Sequence, residues 1–161
     1  MNAIPVTLMV GLAVLVLYVL YTSRRYRANA IRGLAVRFRM HYLGNALPKS
    51  LQLSGTPFQT VSRVWNVIDG EPRGTRIIAF DCQVGMGRRS WRRTVIAVEG
   101  GDRVLRDLPP YRDMKEELSS GWRLLYHPKA PLNFSAGGLT SVDELEAILN
   151  AVVTDSERAI S

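Results

Sequence analysis

The sequence has one cysteine, two histidines and three lysines, and each scarcity closes off some chemistry. A single cysteine, Cys82, excludes an intramolecular disulfide and any cysteine-based zinc site. In a strand-like run it reads as a buried thiol, because free cysteine behaves as a small hydrophobe. A nucleophilic role needs a nearby base, and His41 and His127 lie far from it in sequence. The chain has no Gly-x-Ser-x-Gly elbow and no His-Glu-x-x-His. It also lacks the Asp-x-Asp-x-Asp-Gly spacing of a calcium loop; Asp69, Glu71, Asp81, Glu99, Asp102 and Asp107 are scattered. No internal repeat or low-complexity linker appears. The expectation is a non-enzyme with no catalytic, cofactor-binding or metal-ligating residue. A small enzyme remains an open reading, because carboxylates such as Asp81 can meet a histidine such as His127 in three dimensions only.

Charge is missing too, and its distribution is informative. Residues 1–23 carry no charge, and residues 24–39 carry no acid. The net charge of +7 resembles a nucleic-acid signal until it is mapped. Arg24, Arg25, Arg27, Arg32, Arg37 and Arg39 supply six positive charges, and the rest of the chain holds fifteen Lys/Arg against fourteen Asp/Glu. A nucleic-acid binder shows a basic face over its domain, so no nucleic-acid partner is expected, and Trp91 beside arginines does not alter that.

What precedes the arginines explains them. Ala3–Ser23, AIPVTLMVGLAVLVLYVLYTS, is a run long enough to cross the hydrocarbon core as a helix. Pro5 sits where a helix start tolerates it, and Tyr18 and Tyr21 fall where aromatic rings meet headgroups. A cleaved signal peptide has a basic start, a shorter apolar core and a small-x-small cleavage site; none is present, so residues 1–23 are expected to be an uncleaved anchor. Cationic flanks stay on the cytoplasmic side. The expectation is a single-pass protein of the cell membrane, N-terminus outside and C-terminal domain in the cytoplasm; one free cysteine fits that reducing compartment.

Residues 24–42 read as a basic juxtamembrane helix. Ile31, Leu34, Ala35 and Phe38 share one apolar helical face, Gly33 weakens the helix, and Gly44-Asn45 is expected to end it. The arginines either meet water and headgroups as any such flank does, or contact anionic lipid at about 1 kcal/mol per basic residue.

Residues 43–161 read as one soluble domain, joined to the stalk by a short connection over about residues 43–57. Strands are expected at 62–69, 75–84 and 91–99, with DGEPRG and GMGRRS as hairpin loops. Ile78, Phe80, Cys82 and Val84 lie on one face of the second strand, and Ile77, Ala79, Asp81 and Gln83 on the other. Short connections make these three an antiparallel meander. Residues 103–108 suggest a short strand, 111–120 a surface helix stopping at Gly121, 122–128 a strand, and 130–139 a loop. Residues 141–158 are the best helix of the domain. Ser141 and Glu144 have capping-box spacing, and Val142, Leu145, Ile148, Leu149 and Val152 form a stripe suited to cover a sheet. The class is α+β: an N-terminal single transmembrane helix, then a small antiparallel β-sheet domain packed by a C-terminal helix. Trp65, Trp91 and Trp122 fall in strands as packing residues.

Gly85-Met86-Gly87-Arg88-Arg89-Ser90 imitates half of a phosphate loop, but such loops need a following helix whose free amides meet the anion. A strand follows here, so the glycines serve a turn. Arg92 and Arg93 point to opposite faces. Arg24, Arg25 and Arg27 of the stalk and Arg88, Arg89, Arg92 and Arg93 of the hairpin are the candidate contacts for anionic lipid headgroups or an acidic partner.

Asn66, Val67, Ile68, Gly70, Gly74, Phe80, Asp81, Thr94 and Val95 together resemble a pattern of uncharacterised bacterial membrane-anchored proteins of unknown function, over about residues 65–98. The resemblance implies a membrane-anchored small domain and no activity. Arginine-heavy usage, with only three lysines, is compatible with a bacterial source. Two functional readings lead: a membrane-tethered cytoplasmic interaction module for a protein partner, and a module whose arginines contact the lipid bilayer.

Overall fold

The computed structural model describes residues 4–87, 90–100, 113–128 and 139–158, with side chains described from residue 8 to residue 154. Helix α1 runs unbroken from Ile4 to Arg37. Six strands follow: β1 (His41–Gly44), β2 (Val61–Gly70), β3 (Ile77–Val84), β4 (Trp91–Glu99), β5 (Lys115–Ser119) and β6 (Trp122–Tyr126). Helix α2 (Val142–Arg158) closes the described chain. The strands form one antiparallel sheet in the order β1-β2-β3-β4-β6-β5. The α+β class and the β2-β3-β4 meander stand as expected, and β6 inserts between β4 and its own hairpin partner β5.

α1 has two halves with different solvents. From Leu8 to Tyr21 its apolar side chains are exposed, and it is long and apolar enough to cross a membrane. From Ile31 on, one face is buried: Ile31, Leu34 and Ala35 pack with Ile68, Ile77, Ala79, Ile96 and Val98 of the sheet. The stripe Leu145, Ile148, Leu149 and Val152 of α2 completes the same layer. Ser141 caps α2, its hydroxyl accepting from the Glu144 amide at 3.2 Å. The basic helix is therefore a wall of the domain and not a separate stalk.

The end of α1 differs from expectation. The Met40 amide donates to the Ala35 carbonyl and the Arg39 amide to that of Val36, with Arg39 at φ 55. This is the paired closure of a Schellman motif, and it frees residues 41–44 to form β1. Gly44-Asn45 thus ends a strand. The turn brings Met40 against β2: a Cβ on Gly70 would lie 2.8 Å from Met40 Cγ and 2.9 Å from Met40 Cα.

The opposite face of the sheet buries Val67, Ile78, Phe80, Cys82, Val84, Val95, Ala97 and Leu124. Residues 45–60, which take in most of the plain connection expected over about residues 43–57, cover this face with Leu51 and fully buried Phe58. The strap is tied down by Trp122 Nε1 donating to the Ser50 carbonyl and by Ser119 Oγ donating to the Gln52 and Ser54 carbonyls. Those bonds come from a hairpin where a helix was expected at 111–120. Ser120 (φ 47) and Gly121 (φ 84) both take positive φ, as the tight two-residue turn between β5 and β6 requires, and five cross-strand pairs follow. Strand pairing outweighs the helix propensity of MKEEL. The expected strand at 103–108 and all but Leu139 of the loop expected at 130–139 lie outside the described residues.

Gly70→Ala is expected to lower unfolding stability by roughly 1–3 kcal/mol, the cost of overpacking, in urea denaturation of the solubilised full chain. Adding Met40→Ala trims the side chain but keeps the main chain of residue 40 against position 70, so it should not restore stability. Full restoration would show that the close approach is not backbone-limited.

Candidate functional site

The candidate arginines separate into three environments. Arg27 is turned inward. Its Nε donates to Asp81 Oδ2 at 2.8 Å and its Nη2 to Asp81 Oδ1 at 2.7 Å, a two-pronged ion pair with the carboxylate 1% exposed. Thr94 Oγ1 donates to Oδ1 at 2.7 Å and Asn66 Nδ2 to Oδ2 at 2.9 Å. Each carboxylate oxygen thus accepts two bonds. Arg27 Nη1 donates to the Thr140 carbonyl just before α2, and the Thr140 amide donates to Thr94 Oγ1. Arg27 is therefore withdrawn from the lipid or partner contacts expected of it, because a buried carboxylate with no counter-charge is far costlier than the pair.

The sequence builds this centre locally. Asn66 takes φ 54 inside β2, where the register slips between Trp65 and Ile68. Such a bulge re-aims a side chain, and here it turns the Asn66 amide onto Asp81, while Asn66 Oδ1 accepts from the Tyr42 hydroxyl at 3.1 Å. Asp81 and Thr94 are direct cross-strand partners. His127 lies outside this network, 2.7 Å from Glu144 Oε1. Asp81 and His127 thus have separate partners. No cluster of three or more His, Cys, Asp or Glu able to hold a metal occurs among the described residues.

Cys82, next to Asp81, faces the other side of the sheet and is fully buried. Burial, and then the Asp81 charge, push its thiol up to about 12. It is a buried packing residue, as expected.

The second environment is the end of the sheet bearing the β3–β4 hairpin. Gly85 (φ 76) and Gly87 (φ 63) make the turn, and β4 starts at Trp91. Arg63, Gln83 and Arg92 form one row across β2, β3 and β4, on the face that carries α1; both arginines are exposed. Met86 at the tip is 85% exposed. Arg24 and Arg25 of α1 are exposed too, Arg25 lying 4.5 Å over the Tyr21 ring. Arg88 and Arg89 lie outside the described residues.

The direction of α1 relates these groups. Arg27 contacts Asp81, while Met40, beyond the end of the helix, sits at Gly70, which pairs with Ile77. From residue 27 to residue 40 the chain therefore travels along β3 from position 81 towards 77. Upstream of Arg27, α1 leaves over the Gln83 row, so its apolar half extends from the same end of the sheet as the hairpin tip, Arg63 and Arg92. Sequence reasoning missed Arg63, which becomes a partner of Arg92 only through strand register.

The third environment belongs to Arg93, on the face opposite Arg92 as the strand alternation requires. Its guanidinium stacks 4.9 Å over Trp91, and Nη1 and Nη2 donate to the Arg92 and Pro128 carbonyls. Burial lowers its pKa from the ordinary arginine value.

Asp81→Ala is expected to cost about 3–5 kcal/mol of stability, as for one partner of a buried pair, whereas Arg27→Met with Asp81→Leu should cost less than the two single changes together. Additive costs in that double-mutant cycle would exclude coupling. Cys82 should resist a thiol alkylating agent at pH 8 until the chain is unfolded. Because the folded thiol titrates higher than an unfolded one, stability is intact below about pH 9 and falls between about pH 9 and 12, by at most about 1.4 kcal/mol per pH unit. Cys82→Ala removes that component of the pH dependence, measured as the difference between the two denaturation series.

Comparison with protein-family models, curated proteins and solved structures gives no match in any of the three.

Proposed function

We propose that this chain is a single-pass membrane protein whose small, non-enzymatic cytoplasmic domain stands end-on against the bilayer and contacts anionic headgroups, forming a fixed surface for a protein partner. The observation that carries the reading is the continuity of α1. One helix of 34 residues runs from a charge-free exposed segment into the core of the domain, and the Arg27–Asp81 pair locks it there. A 34-residue helix is about 51 Å long, and the hydrocarbon core takes about 30 Å. Arg27 lies five residues beyond Thr22, about 7 Å along the axis, which is about the thickness of one headgroup layer. The domain has no linker on which to swing away.

The same geometry supports lipid contact. The hairpin tip with exposed Met86, the Arg63–Arg92 row, and Arg24 and Arg25 share the end from which the apolar helix departs. Arginines at that level meet anionic headgroups at about 1 kcal/mol each, and Met86 offers an apolar side chain to the interface. Arg88 and Arg89 extend the same hairpin in sequence.

Topology is tested with Asn2→Cys and Gln59→Cys chains and a membrane-impermeant maleimide on intact cells. Position 2 should label at once, and position 59, exposed on the domain, only after permeabilisation; the reverse pattern sinks the orientation. For lipid contact, a polarity-sensitive fluorophore at Met86→Cys, in full chain reconstituted into anionic bilayers, should blue-shift. Salt should reverse the shift, as screening demands, and Arg63→Gln with Arg92→Gln should weaken it. A spectrum identical in anionic and zwitterionic bilayers would exclude the lipid-facing hairpin.

A further inference from the structure

We infer that the groove between Pro57, Trp91, Arg93, Lys115, Tyr126 and Pro128 is a binding site for a phosphomonoester lipid headgroup. The groove is an open cavity of about 350 Å³ on the face of the sheet opposite α1 and α2. It deepens the membrane-surface reading above and rests on it for the source of the ligand.

Strand register assembles the walls. Lys115 pairs with Tyr126 across β5 and β6, and Leu125 of β6 pairs with Ile96, which sets Tyr126 beside Val95 of β4. Arg93 and Trp91 follow on the same face of β4 at two-residue steps. With strands about 4.8 Å apart and about 3.3 Å per residue, the backbones at Lys115 and Arg93 are roughly 11–12 Å apart. Two long cationic side chains at that spacing can converge on one anion.

The chemistry is that of an anion held against aromatic walls. Phe58 packs edge-on against Trp91 and Tyr126, with ring centroids 5.7 and 4.8 Å away, which fixes both walls. Arg93 Cζ lies 4.9 Å from the centre of the Trp91 ring. Of the five donors of a guanidinium, two reach the Arg92 and Pro128 carbonyls, and buried Nε has no acceptor. No acid pairs with Arg93 among the described residues. On the Lys115 strand Glu116 pairs with Arg123, and Glu117 accepts from the Tyr126 hydroxyl at 3.4 Å. A phosphomonoester carries a charge near −2 at pH 7, which matches two cations, while the Trp91 and Tyr126 rings suit the glycerol and first methylenes.

Position supplies the lipid. Trp91 and Arg93 begin β4, immediately after the hairpin that shares its end of the sheet with the departing apolar helix. The groove mouth is therefore at headgroup level.

The test uses the full chain, labelled with 5-fluorotryptophan, in zwitterionic micelles and titrated with dihexanoyl phosphatidate. The Trp91 resonance, assigned by Trp91→Phe, should shift saturably while that of Trp65 stays put. Lys115 is exposed, so Lys115→Gln should keep the fold and weaken the titration at least fivefold; Arg93→Gln should abolish it. Equal response to inorganic phosphate would make the site a free-phosphate site. Equal response to dihexanoyl phosphatidylglycerol would remove the phosphomonoester, and equal response to a hexaglutamate peptide would assign the groove to an acidic protein segment. Each of these overturns the proposal, as does an unchanged titration in Lys115→Gln. The short-chain lipid reaches the groove from solution. Loss of the Lys115 effect therefore leaves the salt-sensitive Met86 response intact, and failure of that response leaves the titration intact.

Discussion

The ion pair between Arg27 and Asp81 fixes how everything else in this molecule is placed. It joins a helix to a central strand of a six-stranded sheet through a carboxylate that is essentially dehydrated. Dehydration is expensive, and an apolar pair of similar volume is often as stabilising. What an apolar pair would not provide is registry. Leucines on a helix can slip by a turn against an apolar sheet and still be buried. A guanidinium matched to two carboxylate oxygens, a threonine hydroxyl and the carbonyl before α2 fits at one axial position and one rotation. The pair thereby sets how far the apolar half of α1 projects and which end of the sheet lies beneath it.

From that registry the molecule acquires polarity. One end of the sheet carries the hairpin tip, the Arg63–Arg92 row and the mouth of the Trp91–Arg93 groove; the other carries the Gly70 contact with Met40. The two faces differ as well. α1 and α2 cover one, and the strap over residues 45–60 covers the other. The strap leaves the groove open beside Pro57. Arg92 and Arg93, adjacent in sequence, thus serve different faces: Arg92 joins the row beneath α1, and Arg93 lies in an aromatic groove.

Much of the scaffold was legible because its signals are local. Strands β2 to β4 show period-two alternation and glycine turns, and α2 announces itself with Ser141, Glu144 and a leucine-rich stripe. β5 was misread because Met114–Leu118 favours a helix locally, while its hairpin depends on positive φ at Ser120 and on pairing along β6. β1 was missed because four residues exposed or half-exposed at a sheet edge carry little pattern. Arg27 looked like its five neighbours, yet a signal was present: it stands four residues before Ile31 and so shares the face of Ile31, Leu34 and Phe38. An arginine on a buried stripe needs an acid, and Asp81, inside an otherwise apolar strand, was the matching anomaly.

The sequence by itself determined the charge-free helical run, the arginine flank that follows it, the three-stranded centre of the sheet and the capped terminal helix. These follow from hydrophobic period, turn residues and charge asymmetry, which act over a few residues. Only the tertiary structure decided that the basic helix is a wall of the domain, that Arg27 belongs to Asp81, and that the hairpin lies at the end from which the apolar helix leaves. Each of these depends on residues separated by tens of positions, 54 in the case of Arg27 and Asp81. Such partners are chosen by which buried charge can be compensated once the sheet has formed, and no local pattern encodes that choice.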